Sequence, residues 1–192
     1  MAGTELYRQS IHSVLGLIFI AVIGAFGVTA GFGLAITFIV IALIVAVAVK
    51  HNHDMGILRS VFGFFEKIIA KVERNSEKTW PGQGALMFLL GVCITIVFFP
   101  QKELIIPAIL VLSFGDGAST IFGEKFGKTK VKGNRTLEGT IAGIAIASFV
   151  LLPIFPFRQA LGIALIGMMA EYLPLNDNIT VPICTALAVV LL

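Results

Sequence analysis

The chain has 192 residues, of which 57% are hydrophobic and 13% are charged, and its mean hydropathy is +0.99. Soluble domains are less apolar than this, at about 45–50%. The composition therefore excludes an ordinary soluble domain and predicts an integral membrane protein. A net charge of +3, from 14 Lys and Arg against 11 Asp and Glu, is too small a bias for a nucleic-acid-binding protein.

Seven apolar runs follow a short polar lead, and they predict an all-α, polytopic membrane protein with about seven transmembrane helices. A Gly-rich stretch, Thr29–Gly33, is predicted to turn the chain between the first two runs. Several runs are shorter than the roughly 20 residues that cross a bilayer, so we expect their ends to be extended by neighbouring residues. The runs are Ile11–Val28, Leu34–Val49, Ala85–Phe99, Leu104–Phe122, Thr140–Phe155, Gln159–Leu173 and Ile179–Leu192.

Residues 50–84 form the longest polar region, and an amphipathic pattern occupies its centre. Between Gly56 and Arg74, apolar residues recur at the i, i+3, i+4, i+7 spacing of one helix face. Such a helix is predicted to lie in the plane of the membrane interface. Arg59 and Glu66 fall on its polar face, which would bring them to a site on the same side of the membrane.

The basic residues are divided very unequally between the two sides of the predicted membrane. With seven spans, the polar lead, residues 50–84 and residues 123–138 share one side, and all 14 basic residues except Lys102 and Arg158 fall there. By the positive-inside rule this side is cytoplasmic, together with the N-terminus. No internal repeat and no cleavable signal peptide are recognised, so residues 1–192 are predicted to form one integral membrane catalytic domain in the cell membrane.

The main polar interruption near the centre of the chain is the island 113–139, SFGDGASTIFGEKFGKTKVKGNRTLEG. Ionisable groups at the ends of membrane helices are expensive and are therefore candidate functional groups. The predicted topology brings further polar residues to the same cytoplasmic face. These are Arg8, His12, Glu171, Asp177 and Asn178.

Carboxylates facing several basic side chains indicate a site for Mg²⁺ and phosphate, because Mg²⁺ prefers one or two carboxylates together with phosphate oxygens. Asp116, Glu138 and Asp177 are predicted to be the catalytic and metal-binding acids, with Asp116 or Asp177 accepting a hydroxyl proton. Glycine backbone and basic or polar side chains are predicted to bind the phosphates. They are Gly115, Gly117, Gly123, Lys125, Gly127, Lys128, Lys130, Arg135, Thr136 and Asn178.

Each of these features also has a simpler structural interpretation. The lysines of the island would bind anionic headgroups from a solvated loop. Asp116 would only cap a helix or form a turn, and Asp177 would cap the N-terminus of the last helix. Glu171 would reach out to the interface from a helix end, and His12 would be an interfacial histidine. The island does not match the Walker A motif, because three residues rather than four separate its two glycines at 123 and 127.

Three pieces of the island resemble the signature of the CTP-dependent lipid-alcohol kinases. They are Gly115–Ala118 (GDGA), the segment Gly123–Lys128 (G-x-x-x-G-K) and Arg135–Thr140 (RTLEGT). This group includes dolichol kinase, phytol kinase and the yeast-type diacylglycerol kinase, and it is related to the phosphatidate cytidylyltransferases. Outer motifs of the group are matched by Arg8-x-x-x-His12, Glu171 and Asp177-Asn178-x-x-x-Pro182.

The resemblance implies an α-helical membrane enzyme that uses CTP and a divalent cation, Mg²⁺, to phosphorylate a polyprenol-like, dolichol-like or diacylglycerol-like alcohol at the cytoplasmic face. A cytidylyltransferase acting on a lipid phosphate is the nearest alternative, and it would release pyrophosphate rather than CDP. A small transporter or scaffold is an alternative of another class. The polar residues gather at one membrane face rather than at the midplane, which disfavours a transporter. The identity of the alcohol and the oligomeric state are left open.

Overall fold

The computed structural model describes residues 2–50 and 83–192. A helix occupies each of the seven predicted positions, and the fourth consists of two α-helices joined by one π-helical segment. The predicted amphipathic helix, with Arg59 and Glu66, lies outside the described residues. The elements are α1 (Ala2–Phe26), α2 (Val28–Lys50), α3 (Gln83–Phe98), α4 (Lys102–Leu110), the π-helical segment Val111–Asp116, α5 (Gly117–Phe126), α6 (Leu137–Leu151), α7 (Phe157–Met169), a 3₁₀ turn Ala170–Tyr172, and α8 (Asp177–Leu191).

Three helical segments are long and apolar enough to cross a membrane: Leu6–Phe26, Val28–Val45 and the continuous rod Lys102–Phe126. The other four helices contain between 13 and 16 residues. At 1.5 Å per residue, they are shorter than a hydrocarbon core of about 30 Å. The prediction of seven helices is therefore confirmed, whereas the prediction of seven membrane crossings is supported for three of them.

The turn between α1 and α2 lies earlier than predicted. Gly27 has a φ of +88°, in the region that favours glycine, and it separates the two helices. The predicted turn at Thr29–Gly33 is wrong, because these residues lie inside α2. Gly31 instead allows close packing, since a Cβ atom there would lie 2.4 Å from Ile23 Cγ1 of α1.

The fold is mostly helical, as predicted, but within the polar island the chain forms a small antiparallel hairpin. Its strands are β1 (Lys130–Lys132) and β2 (Arg135–Thr136), and Gly133 in the turn has a φ of +56°. The second strand runs directly into α6. The later part of the island is therefore a folded element that presents Arg135, rather than an extended loop.

Buried apolar side chains from several helices form one continuous core beneath the polar end of the bundle. At the site itself, small residues allow the helices to approach: a Cβ atom on Gly115 would lie 2.7 Å from Met168 Sδ of α7. Representative fully buried core residues are Phe19, Phe88, Ile109, Leu151, Met168 and Val181.

The contact between α3 and α8 depends on Gly91, and this gives a first testable prediction. A Cβ atom on Gly91 would lie 1.8 Å from the carbonyl oxygen of Asn178, which is backbone and has little freedom to move. We expect Gly91→Ala to push the two helices apart, with a loss of about 1–3 kcal/mol in the free energy of unfolding, as for other overpacked cores. The midpoint of thermal unfolding in detergent measures this effect.

Gly84 on the same helix provides the matched control, because a Cβ atom there meets nothing within 4 Å. Gly84→Ala is expected to leave the midpoint unchanged or to raise it slightly, since alanine favours helix. Equal midpoints for the two variants would contradict the packing described for α3 and α8.

Candidate active site

Arg135, the first residue of β2, lies at the centre of a cluster of three carboxylates. Its guanidinium group lies 3.3 Å from Asp116 Oδ1 and 3.3 Å from Glu171 Oε2. It also forms an ion pair with Asp177 Oδ2, and its Nη1 atom donates a hydrogen bond of 3.4 Å to Thr120 Oγ1. Segments that are far apart in the sequence thus converge on one side chain.

The backbone that carries Asp116 is unusual, because this residue closes the π-helical segment Val111–Asp116. Such segments are rare and are frequently found at functional sites. The hydroxyl of Ser13 on α1 donates a hydrogen bond of 3.1 Å to the carbonyl oxygen of Ser113 within this segment. The neighbouring helix therefore helps to hold the wide turn that places Asp116 in the cluster.

The other two carboxylates come from the connection between α7 and α8. Glu171 lies in the 3₁₀ turn that follows α7, so it is not in the last turn of a membrane helix as the sequence predicted. Asp177 is the first residue of α8, where its Oδ1 atom accepts a hydrogen bond of 2.9 Å from the amide of Asn178. The N-cap of α8 is Asn176, whose side-chain oxygen accepts a hydrogen bond of 3.1 Å from the same Asn178 amide. Asn176 rather than Asp177 therefore caps the helix, and the Oδ2 atom of Asp177 takes part in the cluster.

The cluster is deeply placed and carries more negative than positive groups. Asp116 and Glu171 are buried, whereas the side chains of Arg135 and Asp177 retain 22% and 31% of their exposure. Burial disfavours the charged guanidinium, but the three carboxylates outweigh this and raise the pKa of Arg135 above its ordinary value. Arg8 on α1 adds a second positive charge that acts on Asp116.

Glu138 belongs to a different set of contacts from the other predicted acids. Its carboxylate accepts hydrogen bonds from the backbone amides of Lys128, at 3.1 Å, and Thr129, at 3.2 Å. Hydrogen bonds from its own amide and from these two amides hold the pKa of Glu138 below its ordinary value. The structure thus places Glu138 as a charged group that holds the segment after α5, while Asp116 and Asp177 meet at Arg135.

This arrangement predicts that Glu138→Gln will loosen the segment that follows α5. A neutral amide is a weaker acceptor than a carboxylate for backbone N–H groups, so the amides of Lys128 and Thr129 should exchange their hydrogens faster. Hydrogen–deuterium exchange followed by mass spectrometry measures this on peptides that cover the segment. Glu103→Gln, at an exposed position on α4, is the control. Unchanged exchange in Glu138→Gln would show that these hydrogen bonds do not hold the segment.

The lysines predicted to bind phosphate lie in different surroundings. The Nζ atom of Lys125 lies 5.3 Å from the centroid of the Phe126 ring, on the exposed surface of α5. Lys132 donates a hydrogen bond to the carbonyl oxygen of Tyr172. Lys128 and Lys130 are exposed. Lys128 belongs to the segment that Glu138 holds, because its backbone amide donates a hydrogen bond to the Glu138 carboxylate.

The glycines of the island make close contacts with protein atoms. A Cβ atom on Gly127 would lie 2.5 Å from Thr136 Cγ2, and one on Gly123 would lie 3.0 Å from Thr136 Oγ1. Thr136 also caps α6, where its Oγ1 atom accepts a hydrogen bond of 3.2 Å from the amide of Gly139. Gly117 faces Gln9 of α1, with 3.5 Å from its ideal Cβ position to the side-chain oxygen. These glycines therefore hold the hairpin, α5, α6 and α1 close together.

The remaining predicted residues of α1 and α8 are buried near the same end of the bundle. His12 is buried, and its ring lies 5.1 Å from that of Phe88 on α3, with a tilt of 31° between the planes. Asn178 is also buried, against Gly91. The structure thus gives His12 an aromatic packing contact.

Several polar residues of the site were missed by the sequence analysis. Ser119 donates a hydrogen bond of 3.0 Å to Glu171 Oε2, and Thr120 accepts one from Arg135. Both follow Asp116 by three or four residues, which is the spacing of one helix face and a signal that could have found them. Tyr172 shares a hydrogen bond of 2.5 Å with the hydroxyl of Thr140, and no sequence pattern marks this pair.

The residues of the cluster fit Mg²⁺ when it is bound together with a nucleotide. Two buried oxygens, Glu171 Oε1 and Asn178 Oδ1, have no hydrogen-bond partner in the described part of the chain. Over residues 2–50 and 83–192, no three His, Cys, Asp or Glu side chains are arranged to hold a metal ion by themselves. Mg²⁺ needs only one or two protein carboxylates when phosphates complete its coordination shell, so such a cage is not required.

Comparison with curated proteins finds relatives that include lipid kinases. The chain is 29% identical over 191 residues to an uncharacterized protein of Methanocaldococcus jannaschii, covering 95% of this chain and 91% of that protein. It is 29% identical over 143 residues to phytol kinase 1, chloroplastic, of Arabidopsis thaliana, covering 63% of this chain and 47% of the kinase. It is 26% identical over 147 residues to CTP-dependent diacylglycerol kinase 1 of Schizosaccharomyces pombe, covering 64% of this chain and 65% of the kinase.

Apart from the uncharacterized protein, the relatives belong to one class, the lipid kinases. At 26–29% identity, these named relatives are phytol kinases and a CTP-dependent diacylglycerol kinase, which confirms the resemblance drawn from the polar island. The chain spans about half the length of the plant phytol kinase and less than two thirds of the diacylglycerol kinase. No family model matches the chain, and no solved structure matches it.

Proposed function

We propose that this protein transfers the terminal phosphoryl group of CTP to the hydroxyl of a membrane lipid alcohol at the cytoplasmic face. The observation that carries the proposal is the cluster of three carboxylates around Arg135, at one end of an apolar helix bundle. A polar, charged site in this place suits phosphates and a lipid hydroxyl that emerges from the bilayer. The names of the characterised relatives support a lipid acceptor, and one of them supports CTP as the donor.

In the proposed reaction, the lipid hydroxyl oxygen attacks the γ-phosphorus of CTP. The bond between this phosphorus and the bridging oxygen breaks, and CDP leaves. Asp177 accepts the hydroxyl proton, because its side chain is 31% exposed whereas that of Asp116 is 8% exposed. Lys128 and Arg135 offset the negative charge on the transferring group.

The buried carboxylates of Asp116 and Glu171 would hold Mg²⁺, which would neutralise charge on the phosphate oxygens when bound. The Oε1 atom of Glu171, which has no hydrogen-bond partner among the described residues, would be available to coordinate such a cation. The protein supplies the rest of the site by orienting Asp116 through the π-helical segment and by fixing Arg135 on the hairpin.

The proposal is tested by a product assay on purified protein in lipid vesicles. The assay offers each of the four nucleoside triphosphates with phytol, a polyprenol, diacylglycerol or a lipid phosphate, and measures both products. We expect CDP and lipid phosphate in equal amounts, with CTP preferred. Pyrophosphate and a CDP-lipid formed from a lipid phosphate would instead support the cytidylyltransferase alternative. The absence of any nucleotide-dependent lipid product across the panel would contradict both.

A further inference from the structure

An apolar and basic stripe lies on the exposed face of α5, away from the carboxylate cluster. Phe122, Lys125 and Phe126 follow the i, i+3, i+4 spacing of one helix face. The two phenylalanines are 42% and 52% exposed, and their ring centroids lie 5.7 Å apart. The Lys125 Nζ atom lies 5.3 Å from the centroid of the Phe126 ring. The exposed rings and the ammonium group therefore form one continuous surface.

This stripe lies at the end of the rod Lys102–Phe126, which is long and apolar enough to cross a membrane. Exposed phenylalanine rings beside basic side chains are typical of an apolar face that is buried at the boundary between the headgroups and the acyl chains of a bilayer. Lysine at such a position lays its apolar stem along the hydrocarbon and extends its charge to the water. The stripe is thus continuous with the lipid-facing surface of a candidate membrane helix.

The segment after α5 carries further exposed basic and apolar side chains. Lys128 and Lys130 are exposed, and so is Val131 on β1. Glu124 adds one acidic side chain to the last turn of α5. Lys132 is directed differently, because it donates a hydrogen bond to the Tyr172 carbonyl oxygen. The balance of charge on the exposed part is therefore positive, which complements an anionic surface.

We propose that Phe122, Lys125, Phe126 and Lys130 form an interfacial patch that binds the anionic headgroups of the bilayer leaflet. The patch holds the hairpin, and with it Arg135, at headgroup level. This assignment does not depend on the proposed kinase activity. It also gives Lys125 and Lys130 a partner other than a nucleotide.

The placement of the patch relative to the cluster supports a lipid rather than a nucleotide as its partner. Ser119 and Thr120, on the preceding turns of α5, contact Glu171 and Arg135 of the cluster. Lys125 lies on the exposed surface beside Phe126. A nucleotide bound to Lys125 would leave the neighbouring rings of Phe122 and Phe126 in contact with water. A bilayer surface accommodates the rings and the ammonium groups together.

Fluorescence quenching by brominated lipids tests the proposal. Phe126→Trp is prepared in a Trp80→Phe background, so that the chain, which has one native Trp, carries a single indole. The protein is placed in vesicles of phosphatidylcholine and phosphatidylglycerol at one fixed ratio, with bromine on either the neutral or the anionic lipid. We expect stronger quenching by the anionic lipid, with a preference of about fivefold for each contributing lysine. The preference should weaken as salt is added.

Phe26→Trp in the same background is the matched control, because Phe26 is an exposed phenylalanine at the end of α1 and the sequence has no Lys, Arg, Asp or Glu between Arg8 and Lys50. It should be quenched equally by both lipids. Lys125→Gln/Lys130→Gln, combined with Phe126→Trp, should lose most of the preference. Phe122→Trp repeats the measurement if the first variant does not fold, as judged by circular dichroism. Equal quenching by both lipids at positions 122 and 126, or a preference that 1 mM CTP abolishes, would overturn the proposal.

Discussion

Replacing Asp116 by Asn is expected to lower the rate of phosphoryl transfer by about 10²–10³, as for the loss of one charge-stabilising group in other enzymes. Asp116 is buried and contacts Arg135, and it is held at the end of the π-helical segment. The substitution keeps the shape of the side chain but removes the negative charge that a nucleotide-bound cation would require. Turnover with CTP and a lipid alcohol, measured at saturating concentrations, checks this expectation.

The Asp116→Asn measurement needs a control for the loss of an acidic group as such. Glu103→Gln, an exposed substitution in the first turn of α4, should retain the parent rate. Both variants should keep the helical content of the parent protein by circular dichroism. Near-normal turnover in a folded Asp116→Asn protein would remove Asp116 from the proposed machinery.

Replacing Arg135 by Met is expected to cause the largest loss of stability. The substitution leaves Asp116, Glu171 and Asp177 close together without the guanidinium that neutralises them. Removing one partner from a buried ion pair typically destabilises a protein by about 3–5 kcal/mol. We expect the lower end of this range, because the Arg135 side chain is 22% exposed. The midpoint of thermal unfolding in detergent measures the loss, and Arg158→Met, an exposed position at the opposite end, should leave it unchanged.

The loss caused by Arg135→Met should depend on pH with a definite sign. The pKa of Arg135 is raised in the folded protein, so its charge persists throughout the range below its ordinary pKa. Its contribution to stability fades as the pH falls and the partner carboxylates take up protons. Burial, with the neighbouring charge of Asp116, raises the pKa of Glu171 to about 8, so this loss begins well above the ordinary carboxylate pKa of about 4. The difference between the variant and the parent should therefore be largest above about pH 8 and should shrink as the pH falls below it. A difference that grows as the pH falls would contradict this account of the cluster.

The convergence of Asp116, Glu171 and Asp177 could be predicted from the sequence, because apolar runs and the distribution of basic residues place their segments at one membrane face. The central position of Arg135 could not be predicted in this way. The same pattern of charges also allows Arg135 to bind a nucleotide rather than the three carboxylates. Only tertiary distances distinguish these two arrangements. The contact of Glu138 with backbone amides was missed for the same reason, since backbone partners leave no mark on the sequence.

The local errors of the sequence analysis have physical causes. The hairpin was missed because its strands contain only three and two residues, too few to show the period of a strand. The first turn was misplaced because Gly27 and the glycines that follow it, Gly31 and Gly33, all permit a break in a helix. Only the packing of α1 against α2 shows which glycine breaks the helix. Gly31 lies inside α2 and packs closely against Ile23, whereas Gly27 forms the turn. The short helices were recognised as apolar runs, but length decides whether a helix crosses a bilayer unaided.

The most direct test of the central claim follows the phosphorus atoms of CTP. Purified protein in vesicles that contain a lipid alcohol is incubated with Mg²⁺ and with CTP labelled at either the γ- or the α-phosphate. We predict that the γ-label enters the lipid in amounts equal to the CDP formed, and that the α-label remains in CDP. Transfer of the α-label to the lipid with release of pyrophosphate, or no transfer of either label to any alcohol, would contradict the proposed phosphoryl transfer.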